Sequence, residues 1–252
     1  MQRRTFDHAG RTAPLPGWLT RLRAGDAAKR AFDVALAAAL LVALLPLLVL
    51  LAAAVRLESR GPVLFRCPRV GAGGLTFAML KFRKMRDGAA GPPLTAPDDA
   101  RFTRLGGLLA RTRLDEVPQL LNVLRGDMSL VGPRPEDPRF VEAEREAFET
   151  VLRVRPGITG LSQLAYAREP EILDAHDPVR DYRERILPGK LDLDRLYVAR
   201  RSLRLDATVL LWTLVATVGR REVSVSRATG RISRRHPRRE PRPSTDHDPA
   251  GG

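Results

Sequence analysis

The stretch Leu114–Pro135, LDEVPQLLNVLRGDMSLVGPRP, fixes the order of elements in the middle of the chain. Its start predicts a helix with Asp115 as the N-cap, because an aspartate accepts hydrogen bonds from the first free amides and Pro118 needs no amide donor in a first turn. The helix should end at Gly126, since glycine suits the left-handed conformation common there. Its apolar stripe consists of Leu120, Leu121 and Leu124.

Two adjacent carboxylates, Asp115 and Glu116, lie at the predicted start of this helix. The free amides and the positive end of the helix dipole stabilise an anion there, so we expect Asp115 to be ionised. By itself such a pair is more often a helix cap with a solvated charge than a catalytic site. The residues around the pair are needed to decide between a helix cap and a catalytic site.

A short buried strand and a rigid turn are predicted after the helix. Residues 128–131 read MSLV, and Gly132-Pro133-Arg134-Pro135 follows directly. Because each proline fixes its own backbone φ angle, the turn should aim the Arg134 guanidinium in one direction. A guanidinium held in this way is suited to binding phosphate.

The apolar run from Val34 to Val55 contains no charged residue and is long enough to cross the hydrocarbon core of a bilayer as a helix. Pro46 near its middle favours a kink. Basic residues flank both ends, which suggests that both ends stay in the cytosol. We expect a re-entrant element that enters and leaves on one face, with a full span as the alternative. The flanking residues are Arg21, Arg23, Lys29, Arg30, Arg56 and Arg60.

Residues 61–82 predict a β-hairpin, because two strand-like segments bracket Gly71-Ala72-Gly73-Gly74. A phosphate-binding glycine loop would need a helix after it, and the sequence there is strand-like. The basic run that follows is typical of a solvated surface. It contains Lys81, Arg83, Lys84 and Arg86.

The remaining segments predict helices and two irregular regions. Residues 138–154 have the pattern of an amphipathic helix, and residues 192–218 contain one or two more, in which Trp212 could face either lipid headgroups or the core. Residues 88–99 predict a mobile loop able to act as a lid. From Gly219 the chain is rich in Arg, Pro, Ser and Gly, and predicts a disordered basic tail.

The composition narrows the class of partner. The 252 residues carry a net charge of +14, so the surface should attract anions such as lipid headgroups or phosphorylated substrates. The low aromatic content of 5% and the lack of a zinc-finger pattern argue against a dedicated nucleic-acid module. Cys67 is the only cysteine, which excludes an internal disulfide.

Motifs in a fixed order over roughly residues 28–220 resemble the bacterial sugar transferases, which are monotopic phosphoglycosyl transferases acting on polyprenyl phosphate. Between the first and last motifs lie the acidic pair and the Pro-Arg-Pro turn. The matching motifs are Lys29-Arg30-Ala31-Phe32-Asp33, Gly61-Pro62-Val63-Leu64-Phe65, Arg69-Val70-Gly71, Lys81-Phe82-Arg83, Arg101-Phe102-Thr103, Leu114-Asp115-Glu116, Asn122-Val123-Leu124, Pro133-Arg134-Pro135 and Arg155-Pro156-Gly157-Ile158-Thr159-Gly160-Leu161.

The resemblance implies an α+β fold in which a re-entrant membrane helix hairpin precedes a small, mostly helical catalytic domain with a short β-hairpin. We divide the chain into an irregular cytosolic segment (residues 1–27), the membrane anchor (28–60), a cytosolic catalytic domain at the membrane surface (61–218) and the disordered tail (219–252). The family implies a location at the bacterial inner membrane, with the catalytic domain on its cytosolic face. The sequence leaves open whether the protein forms a homodimer.

The resemblance also implies the activity. The protein would transfer a sugar 1-phosphate from a nucleotide sugar, expected to be a UDP-sugar, to membrane polyprenyl phosphate, and so initiate the assembly of an exopolysaccharide, capsule or O-antigen glycan. Asp115 would be the nucleophile and form an aspartyl phosphosugar. Glu116 would hold Mg²⁺ together with the substrate phosphates. We keep one alternative, a catalytically silent membrane scaffold for a glycan assembly complex.

Further substrate-binding residues are expected from the same motifs. Gln163 and the glycine motif before it lie close to the substrate pocket in the family, although those glycines could equally serve only the backbone conformation. The candidates are Arg69, Lys81, Arg83, Arg111, Pro133, Arg134, Pro135, Thr159 and Gln163.

This chain departs from the family pattern at several positions. Ala110 stands where the family usually has arginine, and either Arg111 or Arg113 could supply the missing charge. Lys84 and Arg113 occupy positions where small hydroxyl residues are common, and Cys67 replaces a glutamine. These changes affect the expected efficiency and sugar choice more than the fold.

Overall fold

The apolar run folds as one long helix, α1, over Ala24–Glu58, with Pro46 inside it. The computed structural model describes residues 24–86, 88–89, 99–174, 177–219 and 221–234. Among them, α1 alone is long and apolar enough to cross a membrane, with a mean hydropathy of 3.0 and 11% of its most apolar window buried. The predicted pair of helices appears as a single helix, because a proline inside a helix removes one hydrogen bond and need not end it.

The start of α1 corrects the first predicted boundary. The irregular segment was expected to reach residue 27, but residues 24–27 already belong to the helix. Residues 1–23 lie outside the described part of the chain.

The β-hairpin is confirmed. Strands β1 (Leu64–Val70) and β2 (Thr76–Phe82) pair antiparallel, with Leu64 opposite Phe82 and Val70 opposite Thr76. Gly73 and Gly74 in the connecting turn have φ angles of 71° and 75°, which glycine adopts without strain. Most of the predicted lid, residues 90–98, lies outside the described residues.

Helix α2 (Arg104–Thr112) leads into the acidic pair, but the predicted N-cap is wrong. Asp115 lies in a 3₁₀ turn, Leu114–Glu116, and helix α3 begins later, over Gln119–Arg125. The turn forms because Arg113 ends α2 in the left-handed conformation, with φ 56°, and redirects the chain. Gly126, with φ 83°, ends α3 as predicted.

Strand β3 (Ser129–Val131) matches the predicted buried strand and pairs in parallel with β4 (Gly157–Thr159). The single helix predicted over residues 138–154 is wrong. Helices α4 (Pro138–Ala143) and α5 (Arg145–Phe148) are separated at Glu144, which has non-helical angles, and a 3₁₀ turn, Val151–Arg153, follows. Their apolar residues still share one core cluster, so burial of side chains outweighs helix continuity here.

The second half is mostly helical, which confirms an α+β fold. After a π-helical turn, Tyr182–Ile186, come two long helices, α9 (Leu187–Arg200) and α10 (Leu203–Val218). They cover the region where one or two helices were predicted, and Trp212 belongs to α10. Trp212 packs against the main core, whereas Leu211 and Leu214 of the same helix are exposed. The short helices before the π-helical turn are α6 (Leu161–Ala165), α7 (Glu169–Ile172) and α8 (Pro178–Asp181).

The predicted disordered tail is partly wrong. Strands β5 (Val223–Val225) and β6 (Ile232–Arg234) form an antiparallel hairpin. Val225 is buried in the main core cluster and Ile232 packs against it, so a few apolar residues suffice to fold this basic segment. Residues 235–252 lie outside the described part of the chain.

A buried polar network joins α1 to the rest of the protein. The Lys29 ammonium donates to Asp206 of α10 over 2.8 Å, and the fully buried Asp206 also accepts from the Tyr197 hydroxyl at 2.7 Å. On the same face of α1, Asp33 accepts from the Ser129 hydroxyl of β3 at 2.7 Å. These contacts hold the anchor helix against the centre of the domain.

Candidate active site

Two lysines from the end of the β-hairpin face the acidic pair. The Lys81 ammonium donates to Glu116 Oε1 over 2.8 Å. The Lys84 ammonium, beyond the end of β2, lies 3.8 Å from Asp115 Oδ2. The 3₁₀ turn that carries both carboxylates packs beside β2, so the fold brings together two acids and two cations that are more than 30 positions apart.

The pKa values of the two carboxyl groups are shifted in opposite directions. Asp115 is only 3% exposed, and burial raises its pKa, although Lys81 and Lys84 act in the opposite direction. The predicted stabilisation of an Asp115 anion by the dipole of α3 does not apply, because Asp115 lies in a 3₁₀ turn and not at the start of that helix. Burial also opposes the charge of Glu116, but Lys81 and Arg134 lower its pKa to about 2. Adjacent carboxyl groups with opposite pKa shifts are suited to different chemical roles.

The Pro-Arg-Pro turn directs Arg134 toward the acidic pair. Pro133 and Pro135 are buried, and the preceding Gly132 has backbone atoms of residues 155–157 so close that a Cβ would lie 2.6 Å from the Arg155 carbonyl. Burial of Arg134 disfavours its charge, but Glu116, Glu169 and Glu136 together raise its pKa above the usual value. The guanidinium is therefore a permanent cation.

A buried carboxyl group supports this turn from behind. Asp194 of α9 accepts a hydrogen bond from the backbone amide of Arg134, and its Oδ1 lies 2.7 Å from the Ser162 hydroxyl oxygen. That hydroxyl oxygen also lies 3.0 Å from Gln163 Oε1. Burial raises the pKa of Asp194 to about 7. A protonated Asp194 can donate to Ser162, which leaves the single hydroxyl proton for Gln163.

The raised pKa of Asp194 predicts a specific pH dependence of stability. The folded protein holds this proton up to about pH 7, whereas the unfolded chain releases it near 3.8. The contribution is present below pH 3.8 and is lost as the pH rises through 7, by at most about 4 kcal/mol. Asp194→Asn cannot titrate. We expect its melting temperature to fall less between pH 4.5 and 7.5 than that of the wild type in thermal unfolding.

Asp192→Asn is the matched control, since this neighbouring carboxylate on α9 is 57% exposed in its side chain. It should retain the wild-type dependence on pH. Equal pH dependence in Asp194→Asn and the wild type would contradict a proton on Asp194.

Several predicted substrate-binding residues have protein partners away from the acidic pair. Buried Arg83 donates to the Ser59 carbonyl at 2.7 Å and so caps the C-terminal end of α1, while its Nε and Nη1 find no hydrogen-bond partner among the described residues. Arg69 donates to Asp137 at 2.9 Å. Thr159 bonds Thr213 of α10. Arg111 is exposed on α2. Two of the predicted substrate-binding residues, Lys81 and Arg134, thus act on the acidic pair, and Pro133 and Pro135 flank Arg134. Gln163 instead contacts Ser162, the partner of Asp194.

Lys84 and Asp194 were not predicted as members of the site. Lys84 lies in a basic run that is typical of solvent exposure, and the sequence gives no sign of which lysine turns inward. Asp194 is preceded by Asp192, and only helical spacing beside Leu191 and Leu193 could have suggested that it faces the core.

The carboxylates can be compared with what Mg²⁺ requires. Among the described residues there is no group of three or more His, Cys, Asp or Glu side chains able to enclose a metal. Two adjacent carboxyl groups with Lys81 and Lys84 beside them nevertheless fit Mg²⁺, which is commonly held by one or two carboxylates plus substrate phosphates and waters. Glu116, ionised at neutral pH, is the better protein ligand of the two.

Comparison with known proteins identifies the family of this chain. The family model described as bacterial sugar transferase matches residues 24–220. A UDP-glucose:undecaprenyl-phosphate glucose-1-phosphate transferase from Caulobacter vibrioides is 41% identical over 206 residues, 80% of this chain and 72% of that protein. The exopolysaccharide production protein PSS from Rhizobium leguminosarum bv. phaseoli is 36% identical over 76% of this chain and 96% of its own length.

Another relative is considerably longer than the region it shares. An undecaprenyl-phosphate glucose phosphotransferase from Komagataeibacter xylinus is 40% identical over 195 residues, and the match spans 74% of this chain but only 35% of that protein. The family model covers α1 and the acidic pair with its cations. This chain belongs to the bacterial sugar transferase family.

Proposed function

We propose that this protein transfers a sugar 1-phosphate from a UDP-sugar to membrane polyprenyl phosphate and so initiates exopolysaccharide-type glycan assembly. The proposal rests on one observation: a buried aspartate and an ionised glutamate lie side by side and face Lys81, Lys84 and Arg134. Such a cluster is suited to a carboxylate attack on a phosphate whose oxygens must be neutralised. The relatives from Caulobacter and Komagataeibacter are named for this kind of transfer to undecaprenyl phosphate.

In the first step, an oxygen of ionised Asp115 attacks the phosphorus that carries the sugar. The bond from that phosphorus to the bridging oxygen breaks, and UMP leaves with the electron pair. The product is an aspartyl phosphosugar. Lys81 and Arg134 neutralise the charge of the phosphate oxygens, which would otherwise repel the carboxylate.

In the second step, a phosphate oxygen of polyprenyl phosphate attacks the same phosphorus. The bond to Asp115 breaks, the carboxylate is regenerated and polyprenyl diphosphate sugar is released. Two displacements at one phosphorus allow the soluble donor and the lipid acceptor to use the site in turn.

Mg²⁺ is proposed as the metal cofactor, with Glu116 as its protein ligand. When bound with the donor it would supply further positive charge at the diphosphate. Lys81, which already pairs with Glu116, would keep that carboxylate oriented.

Glu116→Gln tests the metal role. The amide removes the negative charge from the ligand, so we expect the Mg²⁺ concentration for half-maximal UMP release to rise about tenfold or more, together with a lower maximal rate. The exposed Glu142→Gln serves as the control and should respond to Mg²⁺ as the wild type does. An unchanged Mg²⁺ response in Glu116→Gln would assign the metal to other groups.

We further propose that α1 is re-entrant and that the catalytic domain lies on the cytosolic face of the inner membrane. Contacts at both ends of the helix support this. Arg30 near its start donates to the Val123 carbonyl at 2.7 Å, and Ser59 just after its end accepts from Arg83. Neighbouring Asn122 accepts from the Leu80 amide, so both ends are tied to one compact unit. A helix spanning the bilayer would separate its ends by about 30 Å of hydrocarbon.

The exposed apolar side of α10 supports the same arrangement. Leu211 and Leu214 project from a helix that is joined to α1 through Asp206. A surface of this kind beside the anchor is suited to contact with lipid.

The function can be tested with purified full-length protein in detergent. Given Mg²⁺ and undecaprenyl phosphate, we expect UMP release from at least one donor in a panel that contains UDP-glucose, UDP-galactose and UDP-N-acetylgalactosamine. The lipid product should appear in equal amount. Absence of UMP release from every donor would support the alternative, a catalytically silent scaffold.

A further inference from the structure

We propose that Lys84 is a further catalytic residue of this protein, which binds an oxygen of the phosphorus attacked by Asp115. The inference rests on the proposed function. It concerns a lysine at a position where related proteins commonly have a small hydroxyl residue, so it is a property of this chain.

The position of the ammonium group supports this role. Lys84 Nζ lies 3.8 Å from Asp115 Oδ2, with 24% of the lysine side chain exposed against 4% for the aspartate. On another side the ammonium lies 5.3 Å from the centre of the Phe102 ring, a cation–π contact that limits where the side chain can turn. Lys84 is therefore held at the accessible edge of a buried carboxylate.

The other nearby cations have different protein partners from Asp115. Lys81 donates to Glu116. The Arg113 guanidinium donates to the Ala167 carbonyl at 2.9 Å, and Arg111 is exposed to solvent. Arg113 adds positive potential at both carboxyl groups, but the ion pair with Asp115 is made by Lys84. Lys84 reaches Asp115 from just beyond the end of the hairpin.

The chemistry gives this ammonium a defined task. When the Asp115 oxygen bonds to phosphorus and the bond to UMP breaks, negative charge is concentrated on the remaining phosphoryl oxygens. These oxygens are adjacent to the attacking atom, so a cation less than 4 Å from that atom can donate to one of them. The same contact forms again when polyprenyl phosphate displaces Asp115. No proton is transferred in either displacement.

Lys84→Met tests the assignment, since methionine has a similar length and no charge. With a radiolabelled UDP-sugar that the wild type accepts and no lipid acceptor, we expect the rate of labelled adduct formation at saturating donor to fall about 100-fold. Lys84→Arg should recover a substantial part of that rate. Ala110→Arg, added to Lys84→Met, should also raise it, because it supplies a cation from α2. The matched control is Arg86→Met, an exposed member of the same basic run.

Thermal unfolding of each variant separates chemistry from folding. A Lys84→Met protein that melts like the wild type and forms adduct at the wild-type rate would overturn the assignment. A rise in the donor KM of Lys84→Met with no change in the rate at saturating donor would also overturn it. The same holds if Lys84→Arg forms adduct as slowly as Lys84→Met. If the wild type itself forms no adduct with any donor, the proposed function fails instead, and the two failures are distinguishable.

Discussion

Asp115→Asn should abolish turnover, with a loss on the order of 10⁴-fold in UMP release. The amide is nearly isosteric with the carboxylate but is a far weaker nucleophile, so no bond to phosphorus forms. Mass spectrometry of intact protein incubated with the donor alone should show the added mass of a phosphosugar in the wild type and none in the variant. Replacement of one buried polar group by another should leave the fold intact.

Asp192→Asn controls for the loss of one carboxylate, because Asp192 is exposed on α9. It should form the adduct as the wild type does. Retention of a phosphosugar adduct in Asp115→Asn would show that another side chain is the nucleophile. Glu116 would then be the first candidate, since it is ionised and adjacent.

Asp206→Leu should give the largest loss of stability, about 3 kcal/mol or more. Asp206 is fully buried and accepts hydrogen bonds from Lys29 and Tyr197. Its removal leaves the Lys29 ammonium, 17% exposed, without its closest carboxylate. Thermal unfolding in detergent should therefore show a clearly lower melting temperature.

A double variant separates the effect of lost charge from that of lost packing. Lys29→Met combined with Asp206→Leu should recover much of the stability, because an apolar pair carries no unpaired charge. Glu149→Leu, which breaks an exposed ion pair with Arg153, should change stability by less than about 1 kcal/mol. If the double variant were less stable than Asp206→Leu, charge pairing would not explain the loss.

The sequence predicted the elements that local chemistry determines. The β-hairpin followed from strand-like residues around glycines, and the end of α3 followed from Gly126, whose positive φ is the conformation that glycine favours. The presence of an apolar helix followed from the run Val34–Val55, although α1 extends beyond that run at both ends. Each of these features depends on residues that are close together in the chain.

The failed predictions concern properties set by distant residues. The pKa of Asp115 depends on burial by the whole domain, which no neighbouring residue reveals. If the alternation of β2 continued, Arg83 would share the face of Lys81 and lie beside the acidic pair. The strand ends at Phe82, so Lys84 faces the acidic pair and Arg83 caps α1. The β5–β6 hairpin has few apolar residues, and its stability comes from packing on the main core.

The bond between Lys29 and Asp206 joins residues that are 177 positions apart. A bacterial ribosome adds about 5–20 residues per second, so roughly 10–35 s pass between synthesis of the lysine and synthesis of its acid. During this interval α1 has left the ribosome and can enter the lipid, while Asp206, which pairs with it, has not yet been synthesised. With α1 inserted as proposed, insertion can therefore precede formation of this ion pair, and the nascent chain can be attached to the membrane before its last helices fold.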